Sequence, residues 1–362
     1  MPSTINQSPE AFNETEVLMA SELATGSVVH MVLKAAIELN LLEIMAKAGP
    51  AKKLSATEIA ALLPTQNPDA PVMLDRMLRL LASYSILTCS QVTTDDDRVQ
   101  RVYCLGPVSR HLVPNQYGVS LAPLLLMVHH KAYIDSWHHL KDAVLEGGIA
   151  FNKAHGMNIF EYLGMDPSFN EVFNKTMLNL SILVMKGILG IYDGFEKANA
   201  VVDVGGGLGE NIDLITSKYP MIKGINFDLP HVIAAAPSYP GVEHVAGDMF
   251  VSIPKGDIIL MKMILHNWSD EHCLKLLKKC HEALPEDGKV VVLETILSAA
   301  PETNVLAKEA FRTDLLMMAQ HIGGKERTEK EYRALAKEAG FNGCRFICRV
   351  LASSVLEFYK TK

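Results

Sequence analysis

Residues 201–209 read Val-Val-Asp-Val-Gly-Gly-Gly-Leu-Gly, and no other stretch limits the possible folds as strongly. A β-branched run favours an extended strand, and the glycines that end it let a ligand approach the main chain closely. Ile212, Ile215 and Tyr219 then recur near helical spacing until Pro220. The glycines therefore fall at a strand-to-helix turn whose helix N-terminus faces the ligand, the opening of an alternating α/β half. Counted from Gly205 and Gly207, the dinucleotide fingerprint G-x-G-x-x-G needs glycine where Glu210 stands. A nicotinamide cofactor loses ground accordingly.

The strands that follow carry acids at their ends. Ile222 to Phe227 ends in Asp228, which at the C-terminal edge of a parallel strand can accept from both ribose hydroxyls. A weaker run ends in Gly247-Asp248-Met249-Phe250, where Asp248 can accept from an adenine amino group and Met249 can pack on the ring. Either Asp alone could equally cap the next segment. Glycine, Asp and Asp at successive strand ends favour a nucleoside pocket. Strands at Asp257 to Met261 and Lys289 to Leu293 flank a helix with Cys273, Leu276, Leu277, Cys280 and Leu284 on one face, a crossover unit. Thr328-x-x-Glu331 opens a last helix closed by Gly340, and runs at Cys344 to Leu351 and Ser354 to Tyr359 finish the sheet.

The first half differs in kind. Residues 17–48 have a helical apolar pattern and are expected to be buried. Ser55-Ala56-Thr57-Glu58 is a capping box, a helix is expected from Pro71 to Ser83, and runs at Ile86 to Val92 and Val99 to Leu105 flank a polar turn. Helices followed by a hairpin make a winged-helix pattern. Such a module can bind DNA, yet its second helix offers only Arg76 and Arg79 and its turn carries Asp95, Asp96 and Asp97, which repel phosphate. With a net charge of −7, neither nucleic acid nor a membrane surface is an expected partner. No secretory leader or bilayer-spanning run is expected, and six cysteines without a C-x-x-C pair read as reduced thiols in a cytoplasmic protein. The expected divisions are a flexible 1–16, a winged-helix-like 17–110, a helical linker contributing to a pocket at 111–198, and a catalytic α/β domain at 199–362.

The chemistry centres on Met261 to Trp268, which leaves the fourth strand and brings His266 to the same sheet edge as the glycines. Glu294, read as the end of the fifth strand, and Glu326, in Gly323 to Thr328, could converge on its imidazole. Spacing alone leaves a structural histidine open. His129, His130, His138 and His139 lack the cysteines or clustered carboxylates of a metal site, and no metal is expected.

From about Ala20 to Tyr359 the chain resembles the plant caffeic acid O-methyltransferase family. The resemblance is carried by residues 67–76 (Asn-Pro-Asp-Ala-Pro-Val-Met-Leu-Asp-Arg), Leu140 to Val144, Asp203 to Gly209, Ile225 to Val232 and Gly323 to Thr328. It implies a Rossmann-like methyltransferase domain that uses S-adenosylmethionine, an N-terminal helical winged-helix dimerisation domain, and a homodimer. His266 matches the family's base, and Glu294 and Glu326 match the acids that steer it. Cofactor positions fall on Gly205, Asp228, Asp248, Met249, Lys262 and Trp268, and pocket positions on Met127, Phe169, Phe173, Met177, Leu316 and Met317. Departures lie in the pocket too. Val128, Leu163 and Leu180 stand where polar residues are usual, His321 replaces an Asn, Ile159 an Ala, and Asn267 the Asp after the base. The expected reaction is methylation of a phenolic hydroxyl on a small, largely apolar plant aromatic of phenylpropanoid, phenylpropene or coumarin type. The alternatives are N-methylation of an amine such as anthranilate, ordinary caffeic acid 3-O-methylation, and a binding protein without turnover.

Overall fold

The computed structural model describes residues 13–49, 51–95 and 97–361. It divides into two compact units, meeting in sequence at His129 and His130. Residues 1–12 and Asp96, on which expectations were placed, lie outside the described residues.

The first unit begins with helices α1 (Glu14–Thr25), α2 (Ser27–Glu38) and α3 (Leu41–Ala48). Strand β1 (Leu54–Ser55) leads into α4 (Ala56–Ala60), which has the expected reciprocal cap between Ser55 and Glu58. Helix α5 (Ala70–Ser83) precedes the hairpin β2 (Leu87–Thr93) and β3 (Val99–Leu105), and α6 (Ala122–Val128) closes the unit. Leu33, Leu41, Met45, Ile59, Leu74 and Leu78 form its core. Asp75 of α5 ties the helix to β3 by accepting from Arg101 Nη2 at 2.7 Å and the Tyr103 hydroxyl at 2.6 Å.

Burial of residues 17–48 needs correction. Helix α1 buries no residue and α2 only Leu33 and Ala36, leaving Val17, Leu18, Met19, Leu23, Val28 and Met31 exposed. The apolar pattern is real, but within one chain its outer face has nothing to pack on; an exposed stripe of this kind is the mark of an association surface.

The second unit opens with α7 (Lys131–His138), α8 (Leu140–Glu146), α9 (Ala150–His155), α10 (Ile159–Met165) and α11 (Pro167–Ile191). Helix α11 is, contrary to expectation, long and apolar enough to cross a membrane by length and composition. A third of that apolar stretch is buried, and its C-terminal part packs Val184, Met185, Ile188 and Leu189 on the sheet. Next come β4 (Ala200–Val204), α12 (Glu210–Lys218), β5 (Lys223–Asp228), α13 (Pro230–Ile233), β6 (Val242–Ala246) and β7 (Ile258–Lys262). They are followed by α14 (Asp270–Ala283), β8 (Lys289–Leu297), α15 (Val305–Gln320), β9 (Arg327–Thr328), α16 (Glu329–Glu338), β10 (Gly343–Val350) and β11 (Ser353–Tyr359).

The sheet order is β10-β11-β8-β7-β4-β5-β6. Strands β4 to β8 are parallel, and β11 runs antiparallel to β8. Alternation along the strands feeds two cores. Val202, Ile259, Val290 and Val292 meet α14 and α16, while Val201, Leu260, Val291 and Leu293 meet α11 and α12. A doubly covered parallel sheet of this kind gathers its strand ends at one edge, where ligands bind.

One strand end was misread. Glu294 does not end its strand, because β8 continues to Leu297, paired through Glu294 and Thr295 with Ser354 and Ser353 and through Ile296 and Leu297 with Arg327 and Thr328. Both partners come from far along the chain, so local pattern gave no sign of the extension.

Candidate active site

The turn after β4 leaves no room for a side chain at Gly205 or Gly206. A Cβ on Gly205, at φ +68°, would stand 2.5 Å from Ile264 Cδ1, and one on Gly206 would stand 2.2 Å from Asn226 Oδ1 and 2.6 Å from Asp203 Oδ2. Gly206, absent from the residues singled out in the sequence, is thus as constrained as Gly205. Asp203 beneath it is also new. Its carboxylate is buried, and that burial pushes its pKa up to about 7, against the pull of the Asn211 side chain.

Asp228 accepts the Gly207 N–H at 2.8 Å and the Leu229 N–H at 2.7 Å, one on each carboxylate oxygen. Asp248 accepts the Phe250 N–H at 2.8 Å. Asp248 therefore does the local capping that the sequence left open, while Asp228 ties the glycine turn to β5; a carboxylate has about four lone-pair sites, and both keep capacity for a ligand. Met249 packs on the core, and Trp268 meets the Phe250 ring edge-on at 4.8 Å. Lys262, last in β7, donates to Ser181 Oγ at 3.0 Å; burial lowers its pKa, against the pull of Asp203 and Glu294. A bare glycine turn with acids on the next two strand ends fits a nucleoside with a charged tail.

Beyond Lys262 the chain turns at Met263, with φ +55°, into a short 3-10 turn at Leu265–Asn267. Its amides converge on one carboxylate: Glu294 Oε1 accepts from Ile264 at 2.9 Å, Leu265 at 2.7 Å and His266 at 3.4 Å. The two acids accordingly divide their work. Glu326 Oε1 takes the imidazole, 2.8 Å from His266 Nδ1, whereas Glu294 Oε2 stands at 3.6 Å. All three side chains are buried. Burial pulls the His266 pKa down, but Glu294 and Glu326 more than offset it and the net shift is upward. Burial pushes the Glu294 carboxyl up to about 7, against His266. Asn267 donates its amide to Met263 O at 3.1 Å, bracing the turn as an ionised Asp could not.

Ligating atoms of His266, Glu294 and Glu326 lie within 4.8 Å of one another, a set able to hold a cation. The His266–Glu326 bond and the amides gathered on Glu294 use Oε1 of each carboxylate, and Oε2 of both is buried without a hydrogen-bond partner.

Of the expected pocket residues, Ile159 and Phe169 are fully buried; Phe169 packs against His130, Tyr133 and Tyr162. Leu163, Phe173, Met177, Leu180, Leu316, Met317 and His321 keep part of their surface open. His321 packs on Phe160, and burial, helped by His266, pushes its pKa down to about 3. It stays neutral at physiological pH. Met127 and Val128 end α6 in the first unit.

Residues 137–342 match the family model of the O-methyltransferase domain, and residues 21–115 that of the O-methyltransferase dimerisation domain. A caffeic acid 3-O-methyltransferase of Prunus dulcis is 61% identical over 348 residues, covering 96% of this chain and 95% of its own length. Another, from Capsicum annuum, is 58% identical over 360 residues, covering 99% and 100%. Among solved structures, human N-acetylserotonin methyltransferase in complex with SAM shares the fold, with a TM-score of 0.81 at 22% identity over 98% of this chain and 100% of that one.

Proposed function

The chain belongs to the caffeic acid O-methyltransferase family, and from that premise we propose how its site methylates a phenylpropanoid-type phenol with His266 as the base. The enzyme is an S-adenosylmethionine-dependent O-methyltransferase. Gly205, Asp228, Asp248, Met249, Lys262 and Trp268 would hold the cofactor, which supplies a methyl group on a positively charged sulfur. A phenol titrates near pKa ~10 and is a poor nucleophile until a base takes its proton. With Nδ1 held by Glu326, His266 keeps Nε2 free to take it. The carboxylates stabilise the resulting imidazolium. Phe173, Met177, Leu180, Leu316 and Met317 keep water from the phenolate. The Nδ1 contact carries this reading, since it fixes both tautomer and orientation. The exposed apolar face of α1 supports a homodimer.

The pH dependence tests it. Only neutral His266 accepts a proton, and its pKa lies above the ordinary 6.5. The acid limb of kcat is therefore expected above that pH. Glu326→Gln removes a charge that raises the imidazole's pKa, so the limb should move to lower pH while the plateau falls. A limb that stays put in the variant would detach Glu326 from the base.

The acceptor follows from Leu163 and Leu180, which offer a carboxylate no hydrogen bond. An unpartnered buried polar group costs about 1–3 kcal/mol. The ratio of kcat/KM for a neutral phenylpropene phenol over caffeic acid should be at least about tenfold, and Leu163→His with Leu180→His should narrow it. A preference for caffeic acid would show that these side chains do not set specificity.

A further inference from the structure

The His266 turn is held on its carbonyl side by a residue that neither the glycine loop nor the acid pair explains. Arg327 is the largest fully buried side chain in the described residues. Its Nη1 donates to Leu265 O at 2.8 Å and its Nη2 to Trp268 O at 2.7 Å. Its Nε donates to Asp270 Oδ1 at 2.8 Å. The two carbonyls bracket His266 and Asn267, so one rigid guanidinium spans the turn.

Its neighbours complete the hold. Lys325 N donates to His266 O at 2.9 Å, Glu326 takes the imidazole, and the Cys273 thiol donates to Leu265 O at 3.1 Å. Three consecutive residues, Lys325 to Arg327, thus dock on the His266 turn, and the extension of β8 holds them in place by pairing Ile296 with Arg327. Glu294 gathers the amides of the turn from the opposite side. Backbone groups in a buried turn need partners, but water or several short side chains could satisfy carbonyls. A planar fork anchored by a carboxylate adds a fixed distance and direction.

We propose that Arg327 is a positioning residue for methyl transfer, its guanidinium fixing the Leu265–Trp268 turn so that His266 meets the acceptor hydroxyl at the correct reach. The proposal rests on His266 being the base. Lysine at this position keeps the charge but cannot span both carbonyls, and a displacement of about 1 Å at a reacting group costs about 10²-fold in rate.

The test uses full-length Arg327→Lys and Asp270→Asn, the latter keeping the guanidinium while loosening its anchor. Active-site concentration is set by titration with S-adenosylhomocysteine. In Arg327→Lys, kcat per titrated site should fall about 10–100-fold, with the acceptor KM and the S-adenosylhomocysteine Kd within about twofold of wild type. The His266 Nδ1 proton signal, read by nitrogen-15 NMR on histidine-labelled protein, should shift or broaden. Asp270→Asn should show the same pattern at smaller amplitude, and it decides the matter if the lysine variant does not fold. Wild-type kcat per titrated site, or a loss that matches only a lower folded fraction, overturns the proposal. Failure of the base assignment is seen separately, as a His266→Ala enzyme that keeps its rate while the Arg327→Lys signal still moves.

Discussion

His266→Ala should lower kcat on a phenol by about 10²–10⁴-fold and leave S-adenosylhomocysteine binding nearly unchanged. The size follows from the loss of the only imidazole whose ring is both engaged by a carboxylate and raised in basicity among the site residues. His321 cannot substitute, since its pKa of about 3 leaves it a poor acceptor of a phenolic proton. Glu294 and Glu326, without an imidazole between them, become two buried carboxyls facing one cavity, and proton uptake by the pair should accompany the substitution. A variant of near wild-type rate would remove His266 from the chemistry and is the result expected of an acceptor that needs no base, such as an aromatic amine.

Asp228→Ala should weaken S-adenosylhomocysteine binding by about 10–100-fold, read by titration calorimetry. Hydrogen bonds to a charged group contribute about 1.5–3 kcal/mol. Two effects combine, because the carboxylate that would meet a ribose also accepts the Gly207 and Leu229 N–H groups. Asp228→Asn, which retains one acceptor oxygen, should fall between. Unchanged affinity in the alanine variant would leave Asp228 as a tie for the Gly207 and Leu229 amides and nothing more.

What the sequence made legible was local. The strand run before Gly205, the acid at Asp228, and the caps at Ser55 and Thr328 each express a rule that acts within a few residues, and each has its element in the structure, while Asp248 follows two residues after β6. The roles that escaped depend on pairing between distant segments. Glu294 looked like a strand end because nothing near it announces that Ser354 and Arg327 will prolong β8. Arg327, in a Lys-Glu-Arg run, has the appearance of a solvated surface charge and is wholly buried. Asp203 and Gly206 were hidden within a motif whose other glycines drew the attention. Burial of α1 was misjudged for another reason: apolar spacing reports a face that wants covering, without saying whether the cover comes from the same chain. The role expected of His266 came from family resemblance, since one histidine and two glutamates carry little meaning until the fold brings them within 4.8 Å.

The central claim, base-assisted methylation of a phenolic oxygen, is tested most directly by product identity. The enzyme is incubated with S-adenosylmethionine labelled with carbon-13 in its methyl group and with an acceptor carrying both a phenolic hydroxyl and an aromatic amine. Carbon-13 NMR of the product then reports the atom to which the methyl is bonded. The expected result is a labelled methoxy carbon, formed by the wild-type enzyme and lost with His266→Ala; labelled N-methyl carbon, or methoxy product that His266→Ala forms as fast as wild type, would contradict the account.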